Sequence, residues 1–80
     1  WSVVLKELIE TIAKALVDQP EAVRVTEAER GSNVVVELEV AREDIGKVIG
    51  RDGRTAQSMR TLLTAASAKL GRRAQLEIVD

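Results

Sequence analysis

One stretch of the chain has the residue types and spacing to hold a phosphate. Gly50 and Gly53 bracket Arg51 and Asp52, with Lys47 just before the pair and Arg54 just after it. Two glycines three apart mark a turn whose backbone needs positive φ, and without Cβ atoms they let another backbone come close. If a helix starts straight after the turn, its first N–H groups have no intrahelical acceptor and sit at the positive end of the helix dipole. Such groups donate to phosphate oxygens. Arg51, Arg54 and Lys47 would add charge-assisted hydrogen bonds. The aliphatic residues Ile45, Val48 and Ile49 precede the turn and offer an apolar ledge beside it. Val48 and Ile49 are adjacent, so on a helix they point about 100° apart and at most one faces a groove squarely. Asp52 brings an acid into the turn, and it is expected to point outward or to pair with Arg51 or Arg54. The plainer alternative is a structural turn between two helices.

Other phosphate loops do not fit. Gly53-Arg54-Thr55 imitates the end of a G-x-x-x-x-G-K-[ST] loop, but the first glycine would fall at Val48 and arginine replaces lysine. A G-x-G-x-x-G loop also needs a glycine at position 48. Cysteine and histidine are both absent. That excludes disulfides and leaves no ordinary structural zinc site, so no metal and no cofactor are expected. It also removes the Ser-His-Asp and Cys-His nucleophile designs. Glu37 and Glu39 lie two apart on the wet face of a strand pattern, which is solvation rather than an acid–base pair in a cleft. The chain therefore reads as a binding module and not an enzyme.

The elements that must position the turn follow from periodicity. Leu5, Leu8, Ile9, Ile12 and Leu16 repeat at helical spacing, with Ser2 as a candidate cap and Asp18-Gln19-Pro20 as the stop. Val23 and Val25 alternate with polar residues. So do Val34, Val36, Leu38 and Val40, whose opposite face carries Val35, Glu37 and Glu39. Arg30-Gly31-Ser32-Asn33 joins these two strands as a hairpin. Arg42–Lys47 predicts a short helix, with acids first and lysine last, as the dipole prefers. Met59, Leu62, Leu63, Ala66 and Leu70 predict a long helix from Arg54 to Leu70, ended by Gly71. Ala74, Leu76 and Ile78 predict a last strand. The order α-β-β-α-α-β gives an α+β, two-layer domain, a three-stranded sheet covered by three helices. Residues 1–80 read as one domain, since a chain of this length builds one modest core.

The net charge of −1 hides an asymmetry. Residues 1–45 carry five cations and ten acids, a net of −5, whereas residues 46–80 carry seven cations and three acids, a net of +4. That pattern points to an anionic partner for the second half. No apolar run approaches the ~20 residues of a membrane span, and Trp1-Ser2-Val3-Val4 does not resemble a leader. A cytoplasmic protein is expected, with no membrane partner. The roles of Trp1, Arg60, Arg72 and Arg73 stay open at this level.

The stretch VIGRDGRTAQSMR resembles the Val-Ile-Gly-x-x-Gly core of the KH domain, an RNA-binding module. The element order is that of the type II KH fold. With LIETIAKALVDQP in the first helix, the whole chain resembles the small bacterial single-KH proteins of the KhpA (YlqC-like) kind. KH loops in general clamp about four nucleotides, a property of the family rather than of these residues. The resemblance implies single-stranded RNA as partner, held between the glycine loop and the sheet edge, and a post-transcriptional or RNA-chaperone role. It makes Gly50, Arg51, Asp52 and Gly53 the loop, Ile45, Val48 and Ile49 its aliphatic lead-in, and Arg54 the residue that follows it on the next helix. A Gly50→Asp change is then expected to abolish binding without unfolding. The family also implies a homodimer or pairing with a second KH-containing protein. The alternative function is a protein–protein adaptor on the same scaffold, without RNA.

Overall fold

The computed structural model describes residues 2–79, the side chain of Ser2 excepted; the expected cap at Ser2 and the surroundings of Trp1 lie outside it. Helix α1 spans Ser2–Leu16. It stops where expected, and a single 3-10 turn at Pro20–Ala22 starts on the proline. Strand β1 runs Arg24–Arg30 and β2 runs Asn33–Glu39. Arg30 pairs with Asn33, so the hairpin loop is just Gly31-Ser32, and Gly31 takes φ 64°. A glycine first in a two-residue loop matches the right-handed twist of the strands it joins. Helix α2 (Ile45–Ile49) follows a 3-10 turn at Arg42–Asp44, α3 spans Arg54–Lys69, and β3 spans Arg73–Val79.

The sheet order is β1-β2-β3, with β1 antiparallel and β3 parallel to β2. A parallel partner for β2 needs a crossover, and α2 with α3 supplies it. The helices lie on one face: α1 against β1, α3 against β3, and α1 and α2 against α3. This is the expected two-layer α+β arrangement.

The core joins Leu5, Ile9 and Ala13 of α1 to Val25, Val34, Val36, Leu38, Ala74 and Leu76 of the sheet and to Val48, Met59 and Leu63. Each fully buried large aliphatic contributes about 1.5–3 kcal/mol. The helical stripes are narrower than their periodicity suggests. Leu16, Leu62 and Leu70 were expected inside, yet all three are exposed, while Ala13, Ala56 and Ser67 are buried instead. Where a helix packs closely on a sheet, small residues take the contact line and the flanking leucines are left at its margin. Val35 shows the reverse. It sits on the outer face of the sheet but is buried, between its register partners Ala28 and Gln75.

Candidate nucleic-acid interface

The glycine turn is built by three residues, out of four in a row, that leave ordinary backbone space. Gly50 has φ 75° and ψ 172°, Asp52 has φ 57°, and Gly53 has φ 72°. The first combination is almost confined to glycine. Asp52 is the only non-glycine residue with positive φ among the described residues, and aspartate is one of the types that tolerates it. A 3-10 turn, Arg51–Gly53, closed by Gly53 N–H donating to the Gly50 carbonyl at 3.1 Å, leads straight into α3.

The two glycines differ in a way their spacing does not show. A Cβ on Gly53 would meet nothing within 4 Å. One on Gly50 would lie 2.1 Å from Thr55 Oγ1 and 2.9 Å from the Thr55 backbone nitrogen. The first turn of α3 folds back onto Gly50, which is the closest approach in the loop. The expectation that Gly50→Asp spares the fold is therefore corrected, because any side chain there displaces the start of α3.

At that start Gly53 stands as the N-cap and no side chain caps the helix. Arg51, Asp52 and Arg54 are all exposed. Asp52 points outward and forms no ion pair with either arginine among the described residues. Arg51, Arg54 and Arg60 likewise make no ion pair among them. An uncapped positive helix end, the open backbone at Gly53 and two guanidinium groups with no ion-pair partner among the described residues thus share one corner.

The other expected site residues divide. Ile45 is half-buried and Ile49 is 37% exposed, so both present apolar surface before the loop. Val48 is corrected: at 0% exposure it belongs wholly to the core and cannot touch a ligand. Lys47 is half-exposed but engaged. Its Nζ lies 3.2 Å from Asp18 Oδ2 and 3.7 Å from Asp44 Oδ1. The hydrogen bond and charge of Asp18 come first, with Asp44 adding to them, and they hold the ammonium above the ordinary lysine range. Asp44 is itself 1% exposed and accepts the Gln19 N–H at 3.0 Å, which ties the loop after α1 to the entry of α2.

A groove lies along α3. Gln57, Arg60, Thr61 and Thr64 line a hollow that begins one turn into the helix. It adjoins a cleft of about 310 Å³ between α3 and β3, walled by Arg60, Thr64 and residues Ala74 to Glu77. β3 is the outer strand of the sheet there, so the cleft follows its free edge. Arg60 points into both hollows. The charge pattern singled out the second half of the chain, but only the packing of α3 on β3 puts Arg60 beside an edge strand. No group of three or more acids, histidines or cysteines suited to a metal occurs among the described residues. Nor is any helix there long and apolar enough to cross a membrane.

Comparison with known proteins bears on the fold and the family. Solved structures of the same fold include an Era variant from Aquifex aeolicus bound to GDP·AlF4−, at a TM-score of 0.61 and 18% identity, covering 94% of this chain and 29% of that one. Another is Era in complex with MgGDPNP and nucleotides 1506–1542 of 16S ribosomal RNA, at 0.60 and 19%, covering 92% and 28%. Those likenesses concern the fold alone. Among sequence relatives, the RNA-binding protein KhpA of Caldanaerobacter subterraneus subsp. tengcongensis is 53% identical over 73 residues, 91% of this chain and 97% of its own. The RNA-binding protein KhpA of Aquifex aeolicus is 50% identical over 76 residues, 95% and 96% of the two chains. The family model described as KhpA/KhpB, KH domain matches residues 6–78, and the chain belongs to that family.

Proposed function

We propose that this chain binds single-stranded RNA, with the sugar-phosphate backbone against Gly50–Gly53 and the bases along the groove between α3 and the β3 edge. The observation that carries the reading is the uncapped start of α3 beside the open backbone at Gly53 and the Arg51 and Arg54 side chains, which have no ion-pair partner among the described residues. Ile45 and Ile49 supply apolar contact to bases. The sequence carries a single aromatic residue, Trp1, so base contacts along the groove rest on aliphatic side chains and hydrogen bonds rather than on an aromatic platform. Relatives about half identical along the full chain are named RNA-binding proteins, which supports the same role here.

The role is post-transcriptional, in the cytoplasm, as an RNA chaperone or regulator rather than an enzyme. One small site with about three phosphate contacts gives modest affinity, so a second copy or a second KH-containing protein raises it by avidity. Leu62, 50% exposed on α3, offers apolar surface for such pairing. Sedimentation at two concentrations reads it.

The decisive variant is Arg51→Asp, at an exposed position where folding is indifferent. Affinity for a short single-stranded RNA falls at least tenfold while the melting temperature stays within about a degree. For the unaltered chain the log–log salt slope is roughly −2, for about three neutralised phosphates. Unchanged affinity in Arg51→Asp rejects the site and favours the adaptor reading, in which loop variants are silent.

A further inference from the structure

Lys47, Arg51 and Arg54 lie within eight residues of each other, yet among the described residues only Lys47 is bound to acids. Its two partners are unlike. Asp44 is buried and fixed by the Gln19 N–H, whereas the Asp18 carboxylate is 76% exposed and reaches Lys47 from the loop after α1. An ammonium has three donors, so it can keep Asp44 while exchanging a second partner. Lys47 is on the last turn of α2, three residues before Gly50, about 4.5 Å along the helix axis. The carboxylate that occupies its outer side is an oxyanion on a flexible side chain, open to water on most of its surface.

We infer that Asp18 stands in for a phosphate on Lys47 and sets the RNA affinity of the loop by competing for that lysine. This rests on the RNA-binding reading above. Binding replaces the Asp18–Lys47 contact by a phosphate–Lys47 contact, while Asp44 keeps its own. Two consequences follow. Lys47 adds little to affinity while Asp18 is present, because the gain of one ion pair cancels the loss of another. Removing the charge of Asp18 lets Lys47 meet the phosphate without giving up a partner and leaves no freed carboxylate to take up a cation, so affinity rises and the salt dependence steepens.

The test measures the affinity of a short single-stranded RNA at several salt concentrations for the unaltered chain, Asp18→Asn, Lys47→Gln and the double variant. Asp18→Asn is expected to tighten binding about three- to fivefold at low salt, the scale of one exposed ion pair. Its salt slope should steepen by about 0.7, the value of one further phosphate on a single strand. In the double variant the gain should vanish, leaving affinity and salt slope no higher than those of Lys47→Gln. A gain that persists in the double variant would show a general effect of removing an acid and would overturn the inference, as would an unchanged slope in Asp18→Asn. If Lys47→Gln fails to fold, because Asp44 loses its cation, the slope of Asp18→Asn decides alone. Arg51→Asp runs alongside. If it leaves binding intact, the RNA site itself is misplaced; if it abolishes binding while Asp18→Asn does nothing, only the role of Asp18 falls.

Discussion

The two ends of α3 are made from the same parts and do opposite things. Each has a left-handed glycine and adjacent arginines: Gly53 with Arg51 and Arg54 at the start, Gly71 with Arg72 and Arg73 at the finish. At the finish the backbone closes on itself. Gly71 N–H donates to the Ala68 carbonyl at 3.0 Å and Arg72 N–H to the Ser67 carbonyl at 2.9 Å, which satisfies carbonyls the helix would otherwise leave bare. Arg72 Nη2 lies 2.6 Å from Glu29 Oε1, so its charge is spent inside the domain. At the start no side chain caps the helix, and neither arginine has an ion-pair partner among the described residues. What separates a binding corner from a structural one is therefore whether the polar groups are already answered, not which residues are present.

The largest effect that sharpens this contrast is on stability. Gly50→Ala combines a glycine-only conformation with a contact on Thr55, and each costs about 1–3 kcal/mol. A loss of about 3 kcal/mol lowers the melting temperature by about 12 °C or more in a domain of this size. Gly71→Ala meets open space and costs only the left-handed penalty, about 1 kcal/mol, or about 4–8 °C. It should leave RNA affinity unchanged. Equal losses at the two positions, followed by thermal denaturation, would break the comparison.

Glu29→Gln tests the closed end more gently. Its ion pair with Arg72 is partly exposed, so the loss is less than about 1 kcal/mol. RNA affinity should not rise, because Arg72 stands at the other end of the helix from the loop. A gain like the one expected for Asp18→Asn would place the binding corner wrongly.

The smallest effect is with pH. The chain has no histidine or cysteine, the side chains that ordinarily titrate nearest neutrality. RNA affinity between pH 6 and 9 at fixed ionic strength should vary less than about twofold. The Lys47 ammonium is held above its ordinary range, so its ion pairs stabilise the fold below the unfolded lysine pKa. That contribution is lost only as pH rises through the still higher folded value, outside this window. A transition in affinity inside it would point to a group outside the loop.

Much of this was legible in the chain itself. Hydrophobic spacing and turn chemistry act over a few residues, so the order of elements, the Gly31-Ser32 hairpin, the stop before Pro20 and the left-handed Gly53 and Gly71 could be read locally. The same reasoning reached the loop and its arginines. It failed where the answer depended on distant partners. Val48 and Ile49 are neighbours in sequence, but only the packed core takes one and leaves the other. Leu62 has the period of a core residue and lies at a margin.

By itself, then, the sequence determined which backbone segments form and where the glycine turn sits, because those depend on the intrinsic geometry of short stretches. Tertiary structure alone decided which charges remain available. Lys47 meets Asp18 across 29 positions and Arg72 meets Glu29 across 43, while Arg51 and Arg54 meet no acid among the described residues. An ion pair depends on distance in space, and that distance exists only once the helices have closed over the sheet.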